Sequence, residues 1–407
     1  MHGREADNSA AAIPHRWISL DRIATFAHVR RGDRTIGPVQ LLRGLTVDRR
    51  RPDLAALSRE VDPDRFVWKI LPHAARSFAA SIVVLPEEQA RAAAVAYLYC
   101  RMLDTYEDLI DDPQACATGL KRFAERLDDD RAPRPTPLAS SMARDERDRV
   151  YLLLIERCDL VDAVFRTFEP ETQIQIRDLV RSMAEGMAWS TAAFERQGGV
   201  LEDQEQLALY CRNVIGYPAL FTLRQVSDRA IPEPAREDAL LVSEMIQLAN
   251  VTRDIERDLE RGVSYHPALK PYLGSTGSEV GTRAVIREVR EEYLAMALGR
   301  APAYRRLFEG LGLGGTAPVR IAAVLMLLFT DLHYRGCASM TGHSSWRGPS
   351  GRLQVVASSL PAMLSPSWAA HTVRRVERDF LGALLGLNAG VETGPESSYS
   401  APQVISP

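Results

Sequence analysis

Three features of the chain predict an all-α fold. Apolar residues recur at helical spacing almost continuously from Asp53 to about residue 385, and no run alternates residue by residue between paired turn signals. In addition, an aspartate pair at one-turn spacing occurs twice, each time behind a long apolar helical pattern. A single helical domain is expected over 53–385. A partly disordered extension over 1–52 precedes it, and a small, polar, disordered tail over 386–407 follows it.

The extension carries one short amphipathic pattern near Ile18 to Val29 and is punctuated by Pro38 and by Arg49-Arg50-Arg51-Pro52. Helix starts are expected at Asp53, at Asp62-Pro63 and at Pro86-Glu87-Glu88, where proline and acids suit a first helical turn. Three prolines between Arg131 and Pro137 mark a loop. The periodicity then predicts helices at Arg144 to Phe168, at Glu171 to Arg196 and at Asp203 to about Arg229. The last of these should kink at Gly216-Tyr217-Pro218. A further helix is expected from Glu233 to about Asp258, then a loop with Pro267, Pro271, Gly274 and Gly277. The pattern closes with Glu279 to Leu298, Pro318 to Met340 and Ser367 to Leu385.

Composition narrows the function classes. With 46% hydrophobic and 25% charged residues the chain has the make-up of an ordinary globular protein, and a formal charge of −3 gives no basic field for nucleic acid. All but three of the 50 basic residues are arginine, a side chain that grips phosphate bidentately. Cys100, Cys116, Cys158, Cys211 and Cys337 are odd in number and contain no CxxC pair, which predicts neither a disulfide framework nor a zinc site. Met1 to His15 lacks an apolar secretory core, and the most apolar run, Ile321 to Phe329, is too short to cross a bilayer. A cytoplasmic monomer without a transmembrane segment is expected.

The chemistry concentrates in Tyr97 to Asp112, an apolar helical run that suddenly carries five acids. On a helix Asp104 and Asp108 share one face, with Glu107 beside them. Carboxylates so placed can share a magnesium ion, which binds through one or two carboxylates together with substrate phosphates. Acids at this spacing are also common on solvated helix faces. The second copy of the spacing, Asp254 and Asp258, changes that balance, because two such pairs can face each other across a helical bundle. Asp111 and Asp112 are expected to end the first helix and face water.

Four motifs in order make the chain resemble the squalene/phytoene synthase family of head-to-head isoprenoid synthases over most of residues 66–267. They are His73-Ala74-Ala75-Arg76-Ser77-Phe78-Ala79-Ala80-Ser81-Ile82, Tyr97 to Asp108, Leu209 to Gly216, and Gln247 to Asp258 followed by Arg261-Gly262-Val263-Ser264-Tyr265-His266-Pro267. The Arg-Ser-Phe-Ala-Ala form of the first motif favours the squalene branch over the phytoene branch. The resemblance implies a helical fold around a central cavity in which Asp104, Asp108, Asp254 and Asp258 hold Mg2+ against prenyl diphosphates. It implies that Arg76, Ser77, Arg101, Gln247, Asn250 and Arg253 bind substrate. Tyr210 would steer cyclopropane formation, and Phe78 and Tyr97 would form an aromatic wall for a carbocation. Peripheral membrane contact fits the amphiphilic substrate the resemblance implies.

Three departures from the family pattern bear on the reaction. Arg257 stands where the family usually has a glutamate, with Glu256 displaced by one position, so a cation able to bind diphosphate replaces a carboxylate. Ile215 is bulkier than the usual residue before the glycine and is followed by Pro218. The stretch Arg335 to Leu360, with Gly342 to Gly348, does not match the family segment that holds NADPH, and no GxGxxG run placed after a strand supplies a Rossmann alternative. The sequence is therefore compatible with head-to-head condensation of two farnesyl diphosphates, with or without NADPH reduction. Geranylgeranyl diphosphate as substrate, a cyclase or prenyltransferase using one prenyl diphosphate, and a non-catalytic helical partner protein are the alternatives.

Overall fold

Aspartates at helix starts set much of the architecture. The computed structural model describes residues 51–129, 133–227, 230–342 and 351–392. Its contacts separate Met1–Thr35 from Ile36–Pro407, and every described residue belongs to the second unit. The expected amphipathic pattern at Ile18 to Val29 lies outside the described residues, as do positions 343–350 and 393–407.

The helices, in order, are α1 (Leu54–Ser58), α2 (Pro63–Ala75), α3 (Ser77–Val83), α4 (Glu87–Leu109) and α5 (Pro113–Glu125). Next come α6 (Glu146–Glu156), α7 (Cys158–Phe165), α8 (Pro170–Gln197), α9 (Gln204–Cys211) and α10 (Tyr217–Val226). The remainder are α11 (Glu233–Arg253), α12 (Ile255–Glu260), α13 (Val280–Leu298), α14 (Ala301–Gly310), α15 (Ala317–Met340), α16 (Arg352–Leu364) and α17 (Pro366–Glu392). Asp53, Asp62, Asp112, Asp145 and Asp203 cap α1, α2, α5, α6 and α9, each carboxylate accepting from the amide three residues on. Among the described residues there is no strand, only an isolated parallel bridge between Val200 and Ser264.

Helix α4 packs on α8 and α10, while α11 is flanked by α13, α14 and α15. A cavity of about 460 Å³ lies among these elements. Helix α15 is long and apolar enough to cross a membrane, but 56% of its most apolar window is buried inside the protein. It packs against α3, α11, α16 and α17, which makes it a core helix.

Several sequence expectations are corrected. Arg144 to Phe168 is two helices, α6 and α7, because the chain breaks at Arg157, whose guanidinium reaches the carbonyls of Ser58 and Glu60 near the end of α1. Glu233 to Asp258 also divides, at Asp254. There the carbonyl of Thr252, an acceptor in an unbroken helix, takes a hydrogen bond from Arg290 Nε at 3.1 Å. Helices α5, α14 and α16 are present in addition, and α17 runs to Glu392, past the expected start of a disordered tail at 386. The kink before Pro218 takes the form of a π turn, Arg212–Gly216, with Tyr217 N–H donating to Arg212 five residues back. Proline at 218 has no amide to continue the ladder.

Two buried charge clusters fix the helices that frame the cavity. Glu244, in α11, is almost fully buried and accepts from Arg212 of the π turn at 2.7 Å and from Arg300 at 2.5 Å. Asp162 accepts two hydrogen bonds from Arg126, at 2.9 and 3.0 Å, and one from Tyr99 of α4 at 2.7 Å. Removing one member of so well enclosed a pair leaves an uncompensated charge. Asp162→Ala is therefore expected to lower stability by about 3–5 kcal/mol, measured by urea denaturation.

Candidate active site

Every residue expected from the sequence to act in catalysis, substrate binding or metal binding lines the same cavity. Arg76, Ser77, Phe78, Tyr97, Arg101, Asp104 and Asp108 come from one side, and Tyr210, Gln247, Asn250, Arg253, Asp254, Arg257 and Asp258 from the other. Asp104 and Asp108 sit one turn apart on unbroken α4. Asp254 sits at the break between α11 and α12, yet its carbonyl still accepts from the amide of Asp258 at 2.9 Å, so both acids stay on the cavity wall. Asp111 and Asp112 are exposed, and Asp112 caps α5.

Arginines stand against most of these acids. Arg101 lies 3.0 Å from Asp104, and Arg253 Nε donates to Asp254 at 2.8 Å. Arg261 joins the two sides, 2.6 Å from Asp108 and 3.8 Å from Asp258. Burial, opposed by Arg101 and reinforced by Asp108, raises the Asp104 carboxyl to about 6. Burial likewise raises Asp258 to about 7, opposed by Arg261 and reinforced by Asp254 and Asp108. Glu107, buried beside Asp108 and Asp104, is pushed to about 8 although Ser190 donates to it at 2.9 Å.

The donor set fits a magnesium–diphosphate group. Hard carboxylate oxygens from both sides are under mutual repulsion, which a divalent cation relieves. Among the described residues no three His, Cys, Asp or Glu side chains form a closed cage. Magnesium does not require one, since phosphate oxygens and water complete its shell. Among the residues that line the cavity, Arg101 Nε and Ser81 Oγ are buried without a hydrogen-bond partner.

Much of the remaining wall is aromatic and aliphatic. The Phe78 and Tyr97 rings lie 5.8 Å apart, and Arg101 Nη2 donates to Tyr97 Oη at 3.0 Å. Tyr210 is held by a polar chain: Tyr265 Oη donates to Tyr210 Oη at 3.1 Å, Gln247 Nε2 lies 3.5 Å from the same oxygen, and Asn250 Nδ2 donates to Gln247 at 3.1 Å. The Tyr210 and Tyr265 rings are 4.7 Å apart. Arg76 adopts φ 51° between α2 and α3, a conformation that costs a β-carbon-bearing residue on the order of 1–3 kcal/mol. Glu256 leaves the cavity for Arg290, at 2.6 Å, whereas Arg257 lines it.

Sequence reasoning missed Arg261, Tyr265 and Arg147, which also line the cavity. The first two follow Asp258 by three and seven positions within a motif already singled out, so their spacing was a usable signal. Arg147 carries none, because α6 is brought to the site by packing against α4.

A family model described as squalene/phytoene synthase matches residues 71–333, more than half of the chain and every residue just described. The chain belongs to the squalene/phytoene synthase family. Squalene synthase ERG9 of Candida albicans is 27% identical over 237 residues, covering 56% of this chain and 51% of that protein. Squalene synthase BSS of Botryococcus braunii is 32% identical over 207 residues, covering 49% and 41%. The chain is thus squalene-synthase-like, and it spans about half the length, or less, of these curated relatives. A solved complex of TcSQS with a ligand superposes with TM-score 0.56 at 18% identity, covering 80% of this chain and 99% of that one, which shows the all-α fold.

The raised carboxyls generate a prediction. Because their pKa values lie higher in the folded than in the unfolded chain, the native state binds the extra protons, and the stability they contribute is lost as pH rises from about 4 through about 8. Magnesium competes with those protons. Thermal stabilisation by saturating magnesium is expected to be larger near pH 8 than near pH 6 in a melting experiment, and equal shifts would contradict the assignment of these acids.

Proposed function

We propose that this protein is a magnesium-dependent prenyl-transferring enzyme that joins two prenyl diphosphates head-to-head, with farnesyl diphosphate as the substrate. The observation that carries the reading is the convergence of both aspartate pairs, with their arginines, on one cavity that is also lined by many apolar side chains. When bound, magnesium supplies charge neutralisation for a diphosphate leaving group.

The chain's own residues do the rest. Asp104, Asp108, Asp254 and Asp258 would hold the metal beside the diphosphate, and the guanidiniums of Arg76, Arg101 and Arg253 take up the charge that develops as the carbon–oxygen bond breaks. The allylic cation left behind lies against the faces of Phe78, Tyr97 and Tyr210, whose ring electrons stabilise it. Leu179, Val242, Ile246 and Phe329 keep the space apolar, which favours capture of the cation by the second substrate's double bond over capture by water. Loss of a proton closes a cyclopropylcarbinyl diphosphate. Reduction of that intermediate to squalene requires NADPH, and part of the segment compared with a cofactor stretch, 343–350 of Arg335 to Leu360, lies outside the described residues.

A second reading, in which a single prenyl diphosphate is ionised and cyclised, draws on Arg257 and Ile215, both of which line the cavity. Incubation with farnesyl or geranylgeranyl diphosphate, with and without magnesium and NADPH, separates the two. The expected result is magnesium-dependent diphosphate release with a head-to-head product from farnesyl diphosphate. A cyclic hydrocarbon from one substrate as the sole product would favour the second reading. No release would leave only a binding protein.

Two substitutions test the residue roles. Asp104→Asn is expected to lower kcat by about 100-fold or more with the fold intact by circular dichroism. Arg257 lines the cavity, and its guanidinium makes no salt bridge or hydrogen bond at contact distance among the described residues. Arg257→Glu should accordingly weaken metal-free binding of inorganic diphosphate by about tenfold, measured by calorimetry in chelator.

A further inference from the structure

The contacts along α11 give the cavity a deep end. Arg290 of α13 reaches the Thr252 carbonyl, Arg300 reaches Glu244 at 2.5 Å, and Arg306 of α14 reaches Asp238 at 2.5 Å. From 290 to 306 the chain thus descends along α11, away from the acids. Helix α15 returns in the other direction, and His333 Nδ1 in its later turns lies 3.4 Å from Arg253 Nη1. Helix α14 therefore packs on the N-terminal half of α11, at the end opposite the aspartates.

Cavity-lining residues follow both helices to that end. Ala239 precedes Arg253 by fourteen residues on α11, and Val319 precedes His333 by fourteen on α15, so each wall runs about 21 Å at a rise of about 1.5 Å per residue. The bottom is apolar, formed by Ala239, Val242, Leu307, Leu313 and Val319. Tyr304 of α14 stands among them, nearly buried, and its hydroxyl donates to the Ala323 carbonyl at 2.6 Å. That bond carries the ring across from α14 to α15. Ala323 lies ten residues, about 15 Å, from His333. An extended chain advances about 1.2 Å per backbone bond, so three isoprene units of four such bonds reach about 14 Å and four reach about 19 Å. Three units end at the ring, and a fourth needs the last turn in which the ring stands.

We propose that Tyr304 is the floor of the prenyl channel and makes farnesyl the longest chain that the arm between α11, α14 and α15 accepts. The inference rests on the reading of the cavity as a prenyl diphosphate site and adds the residue that sets its chain length. Removing the ring joins the upper channel to the last turn beside Ala239 and Val319, and the ring with its hydroxyl is larger than the isoprene unit it excludes. Leu307, three residues on and also lining the cavity, is placed to narrow the same floor when enlarged.

Calorimetry on the full chain with geranyl, farnesyl and geranylgeranyl thiolodiphosphates in magnesium reads the floor without turnover, because sulfur in place of the bridging oxygen suppresses ionisation. The wild type is expected to bind the farnesyl analogue about tenfold or more tighter than the geranylgeranyl one. Tyr304→Ala should tighten the geranylgeranyl analogue by about tenfold and leave the farnesyl analogue within about twofold. Tyr304→Phe, which keeps the ring and loses only the bond to Ala323, should restore the wild-type ranking. Leu307→Phe leaves that bond in place and should weaken the farnesyl analogue by about tenfold relative to the geranyl one, so it carries the test by itself if Tyr304→Ala does not fold. A geranylgeranyl affinity unmoved by Tyr304→Ala, or a farnesyl affinity unmoved by Leu307→Phe, overturns the proposal. Diphosphate release from farnesyl diphosphate is followed in parallel. Where the wild type releases diphosphate and the ranking does not move, the floor alone is wrong; where the folded wild type neither releases diphosphate nor binds any analogue, the reading of the site falls and the floor with it.

Discussion

Carboxylates gathered in an apolar cavity repel one another, and the site depends on how that repulsion is met. Arg261 meets it directly, standing between Asp108 on the long acidic helix and Asp258 on the facing one. Arg101 and Arg253 do the same for their neighbours in sequence. Burial, with the acids' mutual repulsion added to it, outweighs that compensation, and three acids keep raised affinities for protons. Residual negative potential of this kind is what draws a divalent cation into a cleft.

The scaffold around the site uses the same economy of arginine. Arg126, Arg212 and Arg300 each meet a carboxylate that the packing of helices has removed from water, and the buried Arg290 meets the partly exposed Glu256. Arg290 is the most consequential, because the contact that draws Glu256 out of the cavity also takes the Thr252 carbonyl and breaks the helix at Asp254. With Glu256 withdrawn, Arg257 becomes the cavity-lining residue of that turn.

Much of the fold was legible because its signals are local. Aspartates before helices, prolines at first turns and the aspartate spacing can all be read from neighbouring residues, and they located α2, α4, α8 and the acids. Asp112-Pro113 carried the same start signal for α5 and was passed over. The break at Asp254 was not legible, since it depends on Arg290, 36 residues further on and buried against it. Arg147 was hidden for the same reason. Nothing in its own sequence neighbourhood marks a residue that tertiary packing delivers to a cavity.

The π turn at Arg212–Gly216 has a consequence for how the cavity wall is encoded. One residue more than an α-helical turn rotates every later side chain by roughly 100°. With that rotation Tyr210 on one side of the turn and Pro218, Ala219 and Thr222 on the other all reach the same cavity. The close approach of Asn213 to Gly186, where an added Cβ would come within 2.5 Å, and the bond from Arg212 to Glu244 hold the turn in place. The wall is written in phase as much as in side-chain identity. Deleting one residue between 212 and 216 would leave composition almost untouched and still turn half of that wall away from the cavity.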